Sequence, residues 1–259
     1  MNIEELIKNG LSEGFISSHS DLLGELHNLI AVEKYSEAHT VLNNEKSIDR
    51  NGLVLIRKTF TACFLLSEKR EWTSHGVWKT FRFWTNDEKI NYLNRANLVI
   101  ESLRLICPLV TYGFGSVLGF VRDENFIPHD DDMDLLVAFP VATLNSYEQA
   151  KIFLIRHLKS EGVNCYNENE THFTANGVDV FIGFIEDDQS ISWFPSKRRR
   201  GLNIENMFPT SIKKILGVDV ALPNNSENYL EITYGPDWRL PNSSWQHSWD
   251  IQEYIEFLN

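Results

Sequence analysis

The sequence predicts an α/β (α+β) fold: a mixed sheet flanked by helices, preceded by an N-terminal helical region. Three observations predict it. Leu22, Leu23, Leu26, Leu29 and Ile30 recur at helical spacing near the start of the chain. From Leu109 onward, short apolar runs alternate with helical patterns, the order that builds a sheet covered by helices. Asn176-Gly177 stands between two such runs and is a strong hairpin signal.

Each element follows in turn. Residues 1–66 are expected to be helical: one segment carries the Leu22–Ile30 stripe, and a second runs from Glu33 to Leu42, ending at Asn43-Asn44. A third runs from Leu53 to Leu66. No catalytic grouping occurs here, so the region is expected to be a packing or docking accessory. Residues 71–84 are rich in aromatics (Trp72, Trp78, Phe81, Phe83, Trp84), which fits a buried connector better than a sugar-stacking surface. Thr85-Asn86-Asp87-Glu88 supplies cap residues for a helix through Cys107, with Leu93, Ala96, Ile100, Leu103 and Cys107 as its apolar stripe and Pro108 as its stop. Leu109 to Phe114 is expected as a strand, Gly115-Ser116 as a turn, and the next residues through Val121 as a brief helix. Arg122 to His129 is a polar loop, and Asp130 to Phe139 a strand. Asn145 or Ser146 caps a helix with Tyr147, Ala150, Leu154 and Leu158 on its apolar face, stopping at Gly162. Strands at 171–175 and 178–185 form the Asn-Gly hairpin. The expected division is a helical accessory region with an aromatic connector over 1–85 and a catalytic domain over 86–259.

Composition narrows the function. The chain has 259 residues, 42% hydrophobic and 23% charged, which excludes wholesale disorder. No apolar run reaches the ~18–20 residues that span a bilayer, and the opening MNIEELIKNG lacks a basic segment leading into an apolar one. Cys63, Cys107 and Cys165 are odd in number and widely spaced, which argues against a disulfide framework and a CxxC zinc site. A reducing cytoplasm is the expected compartment, with peripheral association at the inner face of a membrane compatible with it. The net charge of −12 disfavours a general nucleic-acid-binding surface. It would also repel a polyphosphate substrate unless cations accompanied it.

The informative stretch runs from Tyr112 to Asp134. Asp130, Asp132 and Asp134 are spaced by two, so on a strand they would share one face, while Asp131 would point the other way. Leu135-Leu136-Val137-Ala138-Phe139 follows directly as a core strand. Acids opening a core strand conflict with local preference, and such conflicts tend to be functional. A divalent cation resolves the repulsion, because Mg²⁺ favours carboxylates together with substrate phosphates; an exposed acidic turn ahead of the strand is the alternative. Gly115-Ser116, just ahead of a short helix, allows close approach of a phosphate to backbone N–H groups. Asp179, a single carboxylate in the apolar run Val178–Phe184, is the candidate third ligand, with a hydrogen-bonded core or turn aspartate as the alternative.

The order Gly-Ser, Asp-x-Asp opening a strand, and a lone Asp on a later strand resembles the nucleotidyltransferase fold. More narrowly, Gly115-Ser-Val-Leu-Gly-Phe-Val-Arg122 and Phe126-Ile-Pro-His-Asp-Asp-Asp-Met-Asp134 resemble the LicD family, which includes bacterial phosphocholine transferases and fukutin-type ribitol-phosphate transferases. Met207-Phe-Pro209, Gly217-Val-Asp-Val-Ala-Leu-Pro223, Tyr229 to Trp238 and Pro241 resemble the family's closing segments, so the likeness spans residues 93–241. Asn125 stands where the family often has glycine, and Asn tolerates positive φ. His129 replaces a frequent Trp.

The resemblance implies a nucleotidyltransferase-like mixed sheet. It makes Asp132 and Asp134 metal ligands, and Asp179 a third ligand or the base for an attacking hydroxyl. Asp130 becomes a further acid near metal or acceptor, Gly115 and Ser116 the phosphate-holding turn, and Arg122 the family arginine. The implied reaction moves a phospho-alditol or phosphocholine-type group from a nucleotide-activated donor, CDP-linked by expectation, to a sugar hydroxyl of a cell-surface glycan such as capsule, LPS or teichoic acid. Mg²⁺ or Mn²⁺ is the implied cofactor.

Beyond these residues, Lys197-Arg-Arg-Arg200 stands out in an acidic chain. Arg198, Arg199 and Arg200 could grip a diphosphate or a polyanionic acceptor, or form a solvated loop. His129 could contact substrate or only pack beside the acids. Tyr234-Gly-Pro-Asp-Trp238 is expected as a tight turn, with nucleoside stacking as the alternative. Two rival functions stay open: a strict nucleotidyltransferase that attaches a nucleoside monophosphate to a small molecule, protein or RNA, and an inactive scaffold in a glycan-assembly complex.

Overall fold

The computed structural model describes residues 2–258 except 167, 197–199, 243–244 and 246–247. It divides into two compact units: Met1–Trp84 with Pro128–Asp131, and Thr85–Ile127 with Asp132–Asn259.

The first unit is helical. It contains α1 (Ile3–Lys8), α2 (Glu13–Ser18), α3 (Ser20–Ala31), α4 (Tyr35–Asn44) and α5 (Arg50–Phe60), then a two-stranded ribbon of β1 (Glu71–Trp72) and β2 (Val77–Trp78). Leu23, Leu26 and Ile30 of α3 are buried with Ala38 and Leu42 of α4, as the apolar spacing predicts. The third expected helix begins at Arg50, capped by Asp49, and changes at Thr61–Leu65 to a π-helical turn. The aromatic connector is only partly buried. Trp72 and Phe81 are core residues, whereas Trp78 is exposed. Pro128–Asp131 joins this unit through backbone bonds from Phe81 N–H to Asp130 O (2.9 Å) and Arg82 N–H to Pro128 O (2.6 Å).

The second unit begins with α6 (Asn86–Arg104), started by a complete Thr85/Glu88 capping box. Its elements continue as β3 (Val110–Tyr112), α7 (Phe114–Leu118), β4 (Asp134–Pro140), α8 (Tyr147–Ser160), β5 (Cys165–Tyr166), β6 (Phe173–Ala175), β7 (Val178–Ile185), β8 (Ser190–Trp193) and β9 (Leu202–Asn203). They close with α9 (Ile204–Met207), β10 (Ser211–Ile215), β11 (Val218–Leu222), α10 (Ser226–Tyr234) and a 3₁₀ segment, Ile251–Phe257. The sheet runs β3-β4-β7-β6-β5, with β8 on the second half of β7 and β9 beyond it. β4 and β7 are parallel and the other pairs antiparallel, so the sheet is mixed. Parallel pairing requires a long crossover. Here α8, β5 and β6 supply it.

Several expectations around the acidic stretch are corrected. Gly115 and Ser116 are not a turn: they lie inside α7, whose N-cap is Gly113. The helix then passes into a π-helical turn, Gly119–Asp123, so part of the expected polar loop is helical. The residue that reverses the chain is Glu124, with φ 51°, rather than its neighbour Asn125. Gly119 is required by close approach: a Cβ there would lie 2.7 Å from the Asn125 carbonyl oxygen. The acidic strand is also shorter than expected. It begins at Asp134, leaving Asp130, Asp131 and Asp132 in irregular chain ahead of it. An uninterrupted apolar run, Leu135–Phe139, is what enters the sheet and is buried, while three consecutive carboxylates gain nothing from entering it.

Candidate metal centre

The centre of the second unit is built by strand register. In the parallel β4–β7 pair, Asp134 lies directly opposite Asp179. Paired residues on neighbouring strands project from the same face, so two carboxylates meet at the entrance to the sheet. Asp132, two residues upstream, completes the group: one oxygen from each of Asp132, Asp134 and Asp179 lies within 4.8 Å of the others. All three are half-buried. At such separations like charges repel by about 4 kcal/mol per pair at an effective dielectric of 20. The donor set is all carboxylate oxygen, which suits a hard divalent cation such as Mg²⁺ or Mn²⁺ rather than Zn²⁺. These residues therefore fit the implied metal.

Hydrogen bonds hold the carboxylates in place. The Asn176-Gly177 turn adopts φ 50° and 85°, the left-handed pair of a tight hairpin, and sets Thr174 opposite Asp179. Thr174 Oγ1 donates to Asp179 Oδ1 at 2.7 Å. His172 Nε2 lies 3.4 Å from Asp179 Oδ2. The Asp179 N–H donates to Met133 O at 2.9 Å, tying the hairpin to the acidic segment. Behind them Tyr92 Oη donates to Gly177 O and accepts from the Met133 N–H (3.2 Å). Burial pushes the Tyr92 phenol well above its ordinary pKa, and the charges of Asp132, Asp179 and Asp134 push the same way. Its proton is therefore retained for the bond to Gly177.

The other side of Asp134 is fixed by α7. Ser116 Oγ accepts the Asp134 N–H (3.1 Å), and the Gly113 N–H donates to Asp134 O (2.9 Å). The Phe114 N–H donates to Tyr229 Oη (2.8 Å), whose phenol burial also raises. Gly115 and Ser116 occupy the first turn of α7, where helical N–H groups have no intrahelical acceptor.

The remaining expected site residues are placed elsewhere. The strand that would align Asp130 with Asp132 and Asp134 starts only at Asp134. Asp130 Oδ1 accepts the Asp131 N–H instead, and Asp130, Asp131 and the exposed His129 all belong to the first unit. There Asp131 meets His75 Nδ1 (3.1 Å) and Thr73 Oγ1 (3.4 Å). Arg122 is forked onto Asp123 through Nε (2.9 Å) and Nη2 (2.8 Å). Arg200 pairs with Glu186 through Nε (2.8 Å) and Nη2. Lys197, Arg198 and Arg199 lie outside the described residues. Trp238 is buried under the Arg239 guanidinium, 4.2 Å from the ring centroid, which leaves little of the ring for a nucleoside.

Tyr92, His172, Thr174 and Tyr229 are missing from the sequence-derived set. Thr174 was legible: a two-residue turn at 176–177 pairs 174 with 179 by counting alone. The others carry no local signal, since Tyr92 reads as one more apolar residue of α6 and Tyr229 lies about a hundred residues from Phe114.

Residues 110–225 match the family model described as LicD/FKTN/FKRP, nucleotidyltransferase domain. No curated protein matches the chain. The matched segment contains Gly115, Ser116, Asp132, Asp134 and Asp179, and ends before Tyr229.

Proposed function

We propose, from the premise that residues 110–225 are a LicD-family nucleotidyltransferase domain, that this chain is a divalent-metal-dependent phosphotransferase. It moves a phospho-alditol or phosphocholine-type group from a CDP-linked donor to a sugar hydroxyl of a cell-surface glycan. The observation that carries the reading is the convergence of Asp132, Asp134 and Asp179. Asp132, Asp134 and Asp179 would hold Mg²⁺ or Mn²⁺, which when bound neutralises the donor diphosphate and the charge that builds on it. A chain of net charge −12 needs that neutralisation to accept a diphosphate.

The chain's own residues set the geometry. Thr174 and His172 each engage one oxygen of Asp179, which fixes its plane. Ser116 and Gly113 hold the Asp134 backbone, so the two strands present their carboxylates in register. Gly115 and Ser116 would face the donor phosphate. Arg122 and Arg200 would reach phosphate only by leaving Asp123 and Glu186. In the reaction the acceptor oxygen bonds to the phosphorus carrying the alditol or choline. The bridging phosphoanhydride bond breaks, the nucleoside monophosphate leaves, and the hydroxyl proton passes to a carboxylate or to water. Residues 1–85 would act as an accessory to the catalytic domain.

Asp132→Ala, Asp134→Ala and Asp179→Ala should each lower turnover by at least a hundredfold, about 2.7 kcal/mol of barrier, and abolish the Mg²⁺-dependent rise in thermal stability. Product analysis with a CDP-linked donor checks the reaction class. Release of free CMP supports the phosphotransferase, and CMP attached to the acceptor would replace it with a strict nucleotidyltransferase. Wild-type stability that ignores both Mg²⁺ and Mn²⁺ would overturn the metal centre.

A further inference from the structure

Next to the carboxylates the second unit carries an aromatic stack that the metal centre does not use. Phe181 follows Asp179 by two residues on β7, so both side chains leave the same face of the strand, ~7 Å apart along it. The Trp249 ring lies parallel to Phe181, with centroids 5.9 Å apart and planes 8° apart. Phe114, the first residue of α7, meets both edge-on, at 5.0 Å from Phe181 and 5.8 Å from Trp249. His172 joins the stack to the acids: its ring is 4.8 Å from Phe181, and its Nε2 is 3.4 Å from Asp179. Phe114 and Phe181 are buried, but Trp249 is 43% exposed.

Trp249 is held firmly. Trp249 pairs with Ser196 in a β-bridge. The Asp250 N–H donates to Pro195 O (2.9 Å) and Tyr254 Oη to Trp193 O (2.8 Å). Phe257 stacks on Phe184 with centroids 4.1 Å apart. From Trp249 onward the C-terminal segment is thus anchored to β7, to β8 and to the residues that follow β8. A pre-positioned ring loses little entropy when a ligand stacks on it.

We propose that Trp249 is the outer wall of a nucleobase subsite. Resting on the donor chemistry proposed above, the base of the nucleotide stacks on this indole while its phosphates lie at Asp132, Asp134 and Asp179. The parallel Phe181–Trp249 pair is a stack that a planar base extends, and its short separation from Asp179 suits a ring tethered to those phosphates. Stacking tolerates every base, so Trp249 supplies affinity rather than a choice between bases. It lies beyond the segment that matches the family model, which ends at residue 225.

The test is a calorimetric titration of CDP and of inorganic pyrophosphate, each with Mg²⁺, into wild type, Trp249→Phe and Trp249→Ala, with thermal unfolding recorded for each protein. Trp249→Ala should weaken CDP roughly 5- to 150-fold, the range given by loss of one base–aromatic stack. It should leave pyrophosphate unchanged, and Trp249→Phe should keep most of the CDP affinity. Equal CDP affinity in wild type and Trp249→Ala would overturn the subsite while leaving the phosphotransferase reading intact. Equal losses for CDP and pyrophosphate would also overturn it, since the effect would then lie at the metal centre. A wild type that binds pyrophosphate but not CDP would defeat both readings.

Discussion

Tyr92 shows how much one residue can hold that the local sequence does not announce. Its hydroxyl joins two segments that must coincide for the acids to converge: the hairpin turn at Gly177, to which it donates, and the acidic segment at Met133, from which it accepts. The bond at Met133 is buried and the one at Gly177 half-buried, so their loss leaves a buried amide and a half-buried carbonyl without this partner. Tyr92→Phe should cost about 1–3 kcal/mol in urea unfolding, the price of unpaired buried polar groups. A change below ~0.5 kcal/mol, typical of surface substitutions, would show that the phenol is not a structural tie. Asp179 illustrates the opposite case. It stood out as a candidate because a carboxylate within Val178–Phe184 contradicts its surroundings, but its partner His172 looked like any polar residue of the strand expected at 171–175.

At the scale of elements, period and punctuation predicted most segments, and departures occurred where charge or backbone geometry competed with pattern. The acidic strand was expected from Asp130 because alternating acids imitate the two-residue period of a strand. The sheet accepts only what it can bury, so pairing begins at Asp134. The helix α4 carries a different kind of sensitivity. His39 accepts from Trp72 Nε1 (3.1 Å) and lies 2.8 Å from Asn43 Nδ2. Burial, followed by the nearby charges of Arg57 and His75, lowers its pKa below 6.5. The unfolded chain then takes up a proton near pH 6.5 that the folded state resists, so stability is complete above that pH and is lost as pH falls below it. The unfolding midpoint should drop between pH 7 and 5.5, and His39→Gln should flatten that slope. An unchanged slope in the variant would place the acid sensitivity elsewhere.

Across the whole molecule, stability rests on packing rather than on covalent staples. All three cysteines are free, Cys107 and Cys165 being buried. Burial raises the thiol pKa of each, Cys63 included, so none is poised as a reactive thiolate. Reductant should leave the unfolding midpoint unchanged, and maleimide should label the native protein slowly, at Cys63 first. A midpoint that falls in reductant would reveal a disulfide that these positions do not form. No helix among the described residues is long and apolar enough to cross a membrane.

By itself the sequence determined the mixed α/β class, the helical start and the hairpin at Asn176-Gly177, and it singled out three carboxylates that the fold brings together. These are written in local period, in turn chemistry and in charges that violate an apolar context, all properties of neighbouring residues. Only the tertiary structure decided that strand pairing begins at Asp134 rather than Asp130, that Tyr92 and Ser116 brace the centre, and that Trp249 reaches Phe181. Those outcomes depend on where strand pairing stops and on which distant surfaces pack. Pairing limits and packing are set by burial across the whole chain, and no window of sequence contains them.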